Sequence, residues 1–442
     1  MWHEDLLCDW VLKNPPGQGC GWEPYPTSLR VVNWIKWALA GNDLPSACAH
    51  SLAVQARWLS RRLEFHLLGN HLFANAKALI FAGLYFDGVE AEKWLQTGFR
   101  ILGREVEEQI LSDGGHFERS TMYHALAVED MLDLSNLVAC FQGVLDRDQQ
   151  DHVRRWRSIV GDMLRWLHLM CHPDGEIAFF NDAALGIAPS VSELDAYADR
   201  LGIPRDVASN GMTWLAHSGY ARLERDDAVL LADAAPIGPD YLPGHAHADT
   251  LSFELSLFGR RVIVNSGTSC YGSSKERLRQ RGTAAHNTVV IDGENSSEVW
   301  GGFRVARRAR PVAPELTDGE DGVMTLSCSH NGYQRLPGSP SHRRRWELHS
   351  RSLTVKDYID GSNGSAEARY HLHPGVKVEA GPSGLDGRGY LPNGRAFSWI
   401  VDEGSARIEP SSWHPRFGES QSSMCIVVQL KNSASIMRLT WD

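Results

Sequence analysis

The sequence predicts an α+β chain in two parts: a helical N-terminal domain over residues 1–215, a bundle or toroid of helices, then an antiparallel β-sandwich over 216–442. Three observations carry this. Apolar residues recur at helical spacing from Thr27 to about Met170. From about Gly219 the period changes to two. Strand then follows strand with no helical pattern between, so the sheets are expected to be antiparallel and stacked. The length of 442 residues fits two or three domains at ~150 residues each.

The helical elements follow in order. Thr27 or Ser28 caps a helix carrying Leu29, Val32, Ile35 and Leu39, ended by Gly41. Ser46 caps a second, with Cys48, Leu52, Leu59 and Leu63 on one side. A third runs from about His71 to Phe86. A fourth carries Trp94, Phe99, Leu102, Val106 and Ile110. A fifth starts at Ser120 or Thr121 and runs to about Phe141, and a sixth spans about Gln149 to Met170. Short connections make neighbours antiparallel. Residues from about 171 to 218 are a mixed connecting region. In the β half, Leu251, Phe253, Leu255 and Leu257 alternate with Ser252, Glu254 and Ser256. Further strands are expected at Val262–Val264, Thr288–Ile291, Leu353–Val355 and Cys425–Leu430, with turns at Asn331–Gly332 and Asn363–Gly364.

Composition narrows the function classes. Hydrophobic residues make up 43% and charged residues 22%, as in an ordinary globular chain. Forty-four basic against 54 acidic residues give a net charge of -10, which argues against a nucleic-acid coat but not against a locally basic groove for a polyanion. No stretch reaches the ~18 apolar residues of a membrane span. The opening MWHEDLLCDW does not read as a signal peptide. The eight cysteines form no C-x-x-C pair, so neither a zinc ribbon nor a disulfide framework is expected.

The candidate chemistry is clustered. Gly244-His245-Ala246-His247-Ala248-Asp249 puts two histidines on one side of an extended segment. Asn265, Tyr271, Arg281 and His286 follow within about forty residues. Zinc needs three or four oriented N, S or O ligands, which His247 and His286 begin to supply. In the helical half, Gly69-Asn70-His71 and the stretch from Asp113 to His124 place polar groups at helix starts. Read locally, Asn70 is an N-cap, Tyr123 a core aromatic with a satisfied hydroxyl, and Glu118–Arg119 a surface ion pair. Arg304, Arg307, Arg308 and Arg310, with Arg343–Arg345, are the strongest basic runs. They read either as a solvated strand edge or as contacts to a sulfated or carboxylated glycan, whose groups match the arginine fork.

Five stretches, GWEPYPTSLRVVNW, GNHLFANAKALIFAG, DGGHFERSTMYHALAVEDM, GHAHADTLSFEL and RGTAAHNTVVIDG, occur in an order that resembles the heparinase II/III-like polysaccharide lyases, a group with related alginate lyases. The resemblance covers roughly residues 20 to 300. It implies an N-terminal α/α toroid, here incomplete at its start, and a C-terminal antiparallel β-sandwich, with an active site in the cleft between them. By resemblance, Asn70 and His71 bind the uronate carboxylate, Tyr123 is base and acid, and His245 is a second base or orienting donor. Tyr271 stands near the leaving group, and Glu118, Arg119 and Arg281 support the site or bind substrate. The family's structural zinc, where present, has a His-Asp-His set. The matching positions are His247, Asn265 and His286, with a neutral amide replacing the carboxylate.

The implied activity is β-elimination on an anionic, uronic-acid-containing glycan such as heparin or heparan sulfate, or on alginate or a bacterial exopolysaccharide. From other classes, a zinc hydrolase or a non-catalytic glycan-binding or assembly protein are the rivals. No nucleic-acid partner is expected. The resemblance implies a periplasmic or secreted setting.

Overall fold

The computed structural model describes residues 2–141, 143–204, 211–319, 322–361 and 364–442. The turn expected at Asn363–Gly364 lies, at Asn363, outside the described residues. The chain divides into two compact units. One comprises Met1–Ile110, Ala127–Gly161 and Tyr197–Ile203, the other Leu111–Leu126, Asp162–Ala196 and Pro204–Asp442.

The helices are α1 (Trp2–Lys13), α2 (Pro24–Leu39), α3 (Ser46–Ser60), α4 (Gly69–Tyr85), α5 (Val89–Gln109), α6 (Thr121–Cys140), α7 (Arg147–Leu169), α8 (Val191–Arg200) and α9 (Lys275–Arg281). The six helices expected from the periodicity are present. Their starts differ for identifiable reasons. Helix α2 begins at Pro24, whose fixed φ suits a first turn, so Thr27 and Ser28 are buried inside the helix rather than capping it. Asn70 is not an N-cap either: Leu68 holds that position, at φ 60°, without a side-chain cap.

In the first unit α4 and α5 approach closely through Gly83. A Cβ there would lie 2.7 Å from the Leu95 backbone nitrogen. Leu79, Ile80 and Leu102 are fully or almost fully buried in the same packing. Lys77 is buried too, and its ammonium reaches Asp130 and Asp133 at 2.7 Å each. Asp133 also accepts from Lys36 at 2.9 Å and from the Tyr197 hydroxyl at 3.0 Å. A buried ammonium needs such compensation, because its desolvation otherwise exceeds any single pairing.

The second unit is built on antiparallel sheets. Strands β1 (Gly211–Leu215), β2 (Tyr220–Arg225), β3 (Ala228–Asp233), β4 (Phe253–Leu257) and β5 (Arg260–Ile263) form one sheet in sequence order. Next come β6 (Val289–Ile291) and the short pair β7 (Val299–Trp300) and β8 (Arg304–Val305). They are followed by β9 (Pro311–Asp318), β10 (Met324–His330), β11 (Ser341–Leu348), β12 (Ser352–Asp360) and β13 (Ala366–His371). The rest are β14 (Lys377–Ala380), β15 (Asp386–Tyr390), β16 (Ala396–Glu403), β17 (Ser405–Trp413), β18 (Gln421–Gln429) and β19 (Ala434–Trp441). An eight-stranded sheet runs β14-β15-β16-β19-β12-β11-β10-β9, and a four-stranded one β17-β18-β13-β6. Phe253, Leu255, Trp346, Trp399, Tyr370 and Leu439 share one apolar core.

Strand β4 departs from a half-exposed strand. All five of its residues are buried. Glu254 and Ser256 face His172, whose ring nitrogens lie 2.6 Å and 2.8 Å from them. The alternation of β4 therefore separates an apolar layer from a buried polar one.

Burial holds several histidines neutral. It lowers the pKa of His116 to about 3, of His124 to about 4 and of His371 to about 3, from 6.5. His124 accepts the His116 backbone N–H at Nδ1 and donates from Nε2 to the Met163 carbonyl, so protonation breaks a contact already made. A depressed folded pKa means the unfolded chain binds more protons. The stability from these groups is complete above pH ~6.5 and is lost as pH falls from there toward the folded values. The melting temperature is expected to drop steeply between about pH 6.5 and pH 4.5, and a flat profile there would contradict the neutral assignment.

Candidate active site

The centre lies in the second unit. Ser120 starts α6: its Oγ accepts the Tyr123 backbone N–H at 3.1 Å and donates to the Asp182 carbonyl. This fixes Tyr123 in the first helical turn, with its ring against the His245 ring at 4.0 Å between centroids. The Tyr123 and Tyr271 hydroxyls are 2.9 Å apart. Phe303 and Phe417 pack edge-on against Tyr271 at 5.4 Å and 4.9 Å.

Asp182 organises the group. It is fully buried and accepts from His245 Nδ1 at 2.9 Å, His247 Nε2 at 2.8 Å and Thr268 Oγ1 at 3.2 Å. Both terminal nitrogens of Arg277 donate to the same carboxylate. Burial pushes the Asp182 pKa up, but the Arg277 charge and the histidine hydrogen bonds outweigh it and hold it well below the carboxylate range. With His245 Nδ1–H committed to Asp182, Nε2 is the acceptor that points away. Glu118 Oε2 lies 3.8 Å from that nitrogen. The His245 side chain keeps 15% of its surface exposed, enough to meet a ligand.

Burial, then the Tyr271 hydroxyl and Asp182, raise the Tyr123 pKa far above its ordinary value. Burial and Asp182 raise that of Tyr271 as well, against Arg277, whose guanidinium lies 5.0 Å from its ring. Both are therefore phenols that can donate.

The remaining candidates have supporting positions. Glu118 is buried, so it does not form the surface ion pair that its neighbour Arg119 suggested. Arg119, at φ 59°, donates to the Ser218 and Phe117 carbonyls. Arg281 is fully buried and holds the Ala246 carbonyl at 3.0 Å and 2.9 Å, fixing the loop between His245 and His247. In the first unit, His71 Nδ1 is 3.1 Å from Glu64, which also accepts from Asn75 at 2.9 Å. The Tyr25 ring packs on His71 at 4.6 Å and its hydroxyl hydrogen-bonds Asn70.

His247 Nδ1 and His286 Nε2 face each other at 3.2 Å, and burial lowers their pKa values to about 4 and about 3. Asn265 Oδ1 sits 3.3 Å from the opposite nitrogen of His286 and accepts from the Asn287 backbone. Two imidazole nitrogens thus converge, with Asn265 behind one of them. No group of three His, Cys, Asp or Glu among the described residues could hold a metal ion. Zinc needs a third protein ligand. As they stand these residues do not fit it, and no step below passes through a metal.

Sequence reading missed Asp182 and Arg277. The only local signal for Asp182 was an Asn-Asp pair inside an apolar segment, Phe179-Phe180-Asn181-Asp182-Ala183-Ala184, and Arg277 stands in a charged stretch that does not single it out.

Among the described residues no helix is long and apolar enough to cross a membrane. The heparinase II/III N-terminus family matches residues 7–199, and the heparinase II/III-like C-terminal family residues 208–442. A heparin-sulfate lyase of Bacteroides stercoris is 24% identical over 330 residues, covering 70% of this chain and 46% of its own length. FtsZ-localized protein C of Caulobacter vibrioides is 25% identical over 389 residues, covering 81% of this chain and 62% of its own. The chain spans about half the length of the curated heparin-sulfate lyases it matches. The crystal structure of heparan sulfate lyase HepC from Pedobacter heparinus superposes with a TM-score of 0.70 at 20% identity, covering 100% of this chain and 72% of that one. That likeness shows the fold, an α/α toroid followed by an antiparallel β-sandwich, and the two family matches together show that the chain belongs to the heparinase II/III-like family.

Proposed function

We propose that the chain is a polysaccharide lyase that cleaves a uronic-acid-containing glycan of the heparin or heparan sulfate type by β-elimination. The observation that supports this is the Tyr123–Tyr271–His245 cluster, in which donating phenols meet an imidazole oriented by a buried carboxylate. His245 Nε2 takes the C5 proton, the C5–H electrons form the C4–C5 double bond, and the C4–O4 bond breaks. Tyr123, with Tyr271 beside it, donates its hydroxyl proton to the departing oxygen. A proton returned from His245 resets the phenol. The C5 proton is α to a carboxylate, so its removal builds charge on a charged group and requires preorganised donors.

The test is a glycan panel followed by ultraviolet absorbance of the unsaturated uronate. Heparan-type glycans are expected to give product, and alginate or exopolysaccharide alone giving product would reassign the substrate. A zinc hydrolase would yield product without a new double bond. A second reading, a glycan-binding or assembly protein without turnover, is kept because FtsZ-localized protein C, whose name states a location and no lyase activity, matches 81% of this chain. Binding without product on every glycan would select it. A periplasmic or secreted setting is proposed with the lyase reading and is tested by cell fractionation.

The misfit of His247, Asn265 and His286 to zinc has a direct measurement. Elemental analysis of protein purified without chelator is expected to find well under one zinc per chain. Asn265→Asp is expected to leave the content low, because this side chain meets His286 Nδ1 and not the nitrogen that faces His247, and a rise to one zinc per chain would return Asn265 to the ligand set.

A further inference from the structure

We propose that the outer face of the eight-stranded sheet carries an accessory groove for a segment of an anionic glycan, remote in sequence from the catalytic cluster. The sequence run Arg343-Arg344-Arg345 is divided by the strand period. Arg344 turns inward, where it is fully buried and bonds Asp357 through Nε at 2.7 Å and Nη2 at 3.0 Å. Arg343 and Arg345 turn outward and are exposed. Across the β11–β12 register Arg343 faces Tyr358, and Arg345 faces Lys356. Together with Ser327 and Glu347 these side chains line an open groove of about 390 Å³.

The groove reverses the sign of the molecule. The chain has a net charge of -10, whereas the groove lining has three cations and one anion. Glu347 is shared between Arg345 at 2.7 Å and Lys356 at 2.9 Å, so it neutralises neither fully. Arg343 has no carboxylate partner within ion-pair distance among the described residues. Its guanidinium lies 5.1 Å from the centroid of the Tyr358 ring, which holds the fork while leaving its N–H groups to an incoming anion. Glu315, opposite Ser327 on the edge strand β9, marks an acidic limit, so an anionic chain would lie along β11 and β12. Arginine forks match sulfate and carboxylate geometry, and an aromatic face suits the apolar face of a sugar ring. The occupant therefore has the chemistry of the proposed substrate, and its identification as a uronate glycan rests on that reading.

The experiment uses the full chain carrying Tyr123→Phe, so that binding is read without cleavage, and a long sulfated uronate glycan beside a tetrasaccharide. Adding Arg343→Gln with Arg345→Gln is expected to weaken binding of the long chain by roughly tenfold at low salt, with a smaller effect as salt rises. Tetrasaccharide turnover in otherwise wild-type protein is expected to be unchanged. Long-chain affinity unchanged within a factor of about two would overturn the groove, as would failure of the parent protein to bind the long chain. If the double variant melts lower, Arg343→Gln alone decides, since it breaks no ion pair. Absence of unsaturated product from wild type would count against the lyase reading and leave the binding comparison valid.

Discussion

Tyr123→Phe is expected to abolish turnover while leaving the fold and substrate affinity nearly unchanged. The ring remains, so its packing on His245 at 4.0 Å survives. What is lost is one hydroxyl and its 2.9 Å contact with the Tyr271 hydroxyl. If that hydroxyl only completed a partly buried pair, its removal would cost about 1 kcal/mol of stability and would leave the rate alone. If it carries the proton to the leaving oxygen, the loss falls on the transition state, where acid–base catalysis is worth roughly 10²–10⁴ in rate. The strongly raised pKa of Tyr123 fits a donor to an alkoxide-like oxygen, because the phenol is intact at neutral pH. The kcat should therefore collapse with little change in KM. A variant retaining more than about a tenth of the wild-type kcat would end the assignment and move it to Tyr271.

Much of this centre was legible because its residues stand in short motifs. The His-Ala-His spacing placed His245 and His247 together, and a helix start placed Tyr123. Helices α2 to α7 and strands β4, β5, β6, β12 and β18 could be read because each has one dominant period, while the other strands were not placed from the sequence. Helix α1 was missed because its apolar side, Leu7, Cys8, Trp10 and Val11, is short, and none of its residues is fully buried. The helix starts failed where a backbone feature outweighed a side-chain cap: Pro24 began α2 early, and the left-handed Leu68 began α4 ahead of Asn70. Period two identified β4 but not the burial of its polar side, since that depends on His172, 82 residues away. Asp182 was not legible for the same reason. Its partners His245 and Arg277 are 63 and 95 residues distant, and a carboxylate in a connecting segment carries no periodic signal.

Asp182→Asn is expected to cost both activity and stability, and the two losses can be separated. The change removes the charge but keeps a similar shape and one acceptor. Arg277 is then a buried guanidinium without its counterion, a situation worth about 3–5 kcal/mol when a buried pair is broken. The melting temperature should fall accordingly. Catalysis should fall through another route. An amide can present its NH2 group to His245 Nδ1, which favours the tautomer that places the proton on Nε2 and closes the base. A loss of roughly hundredfold or more in kcat is expected, with KM little changed. Adding Arg277→Gln removes the unpaired charge, so the double variant should regain much of the stability lost by Asp182→Asn. Its kcat should stay low, because the tautomer of His245 is still unfixed. If kcat instead returned with the melting temperature, Asp182 would be a structural partner of Arg277 and nothing more. Stability then low and kcat low in the single variant, but only stability restored in the double, is the pattern that identifies a positioning residue acting through His245.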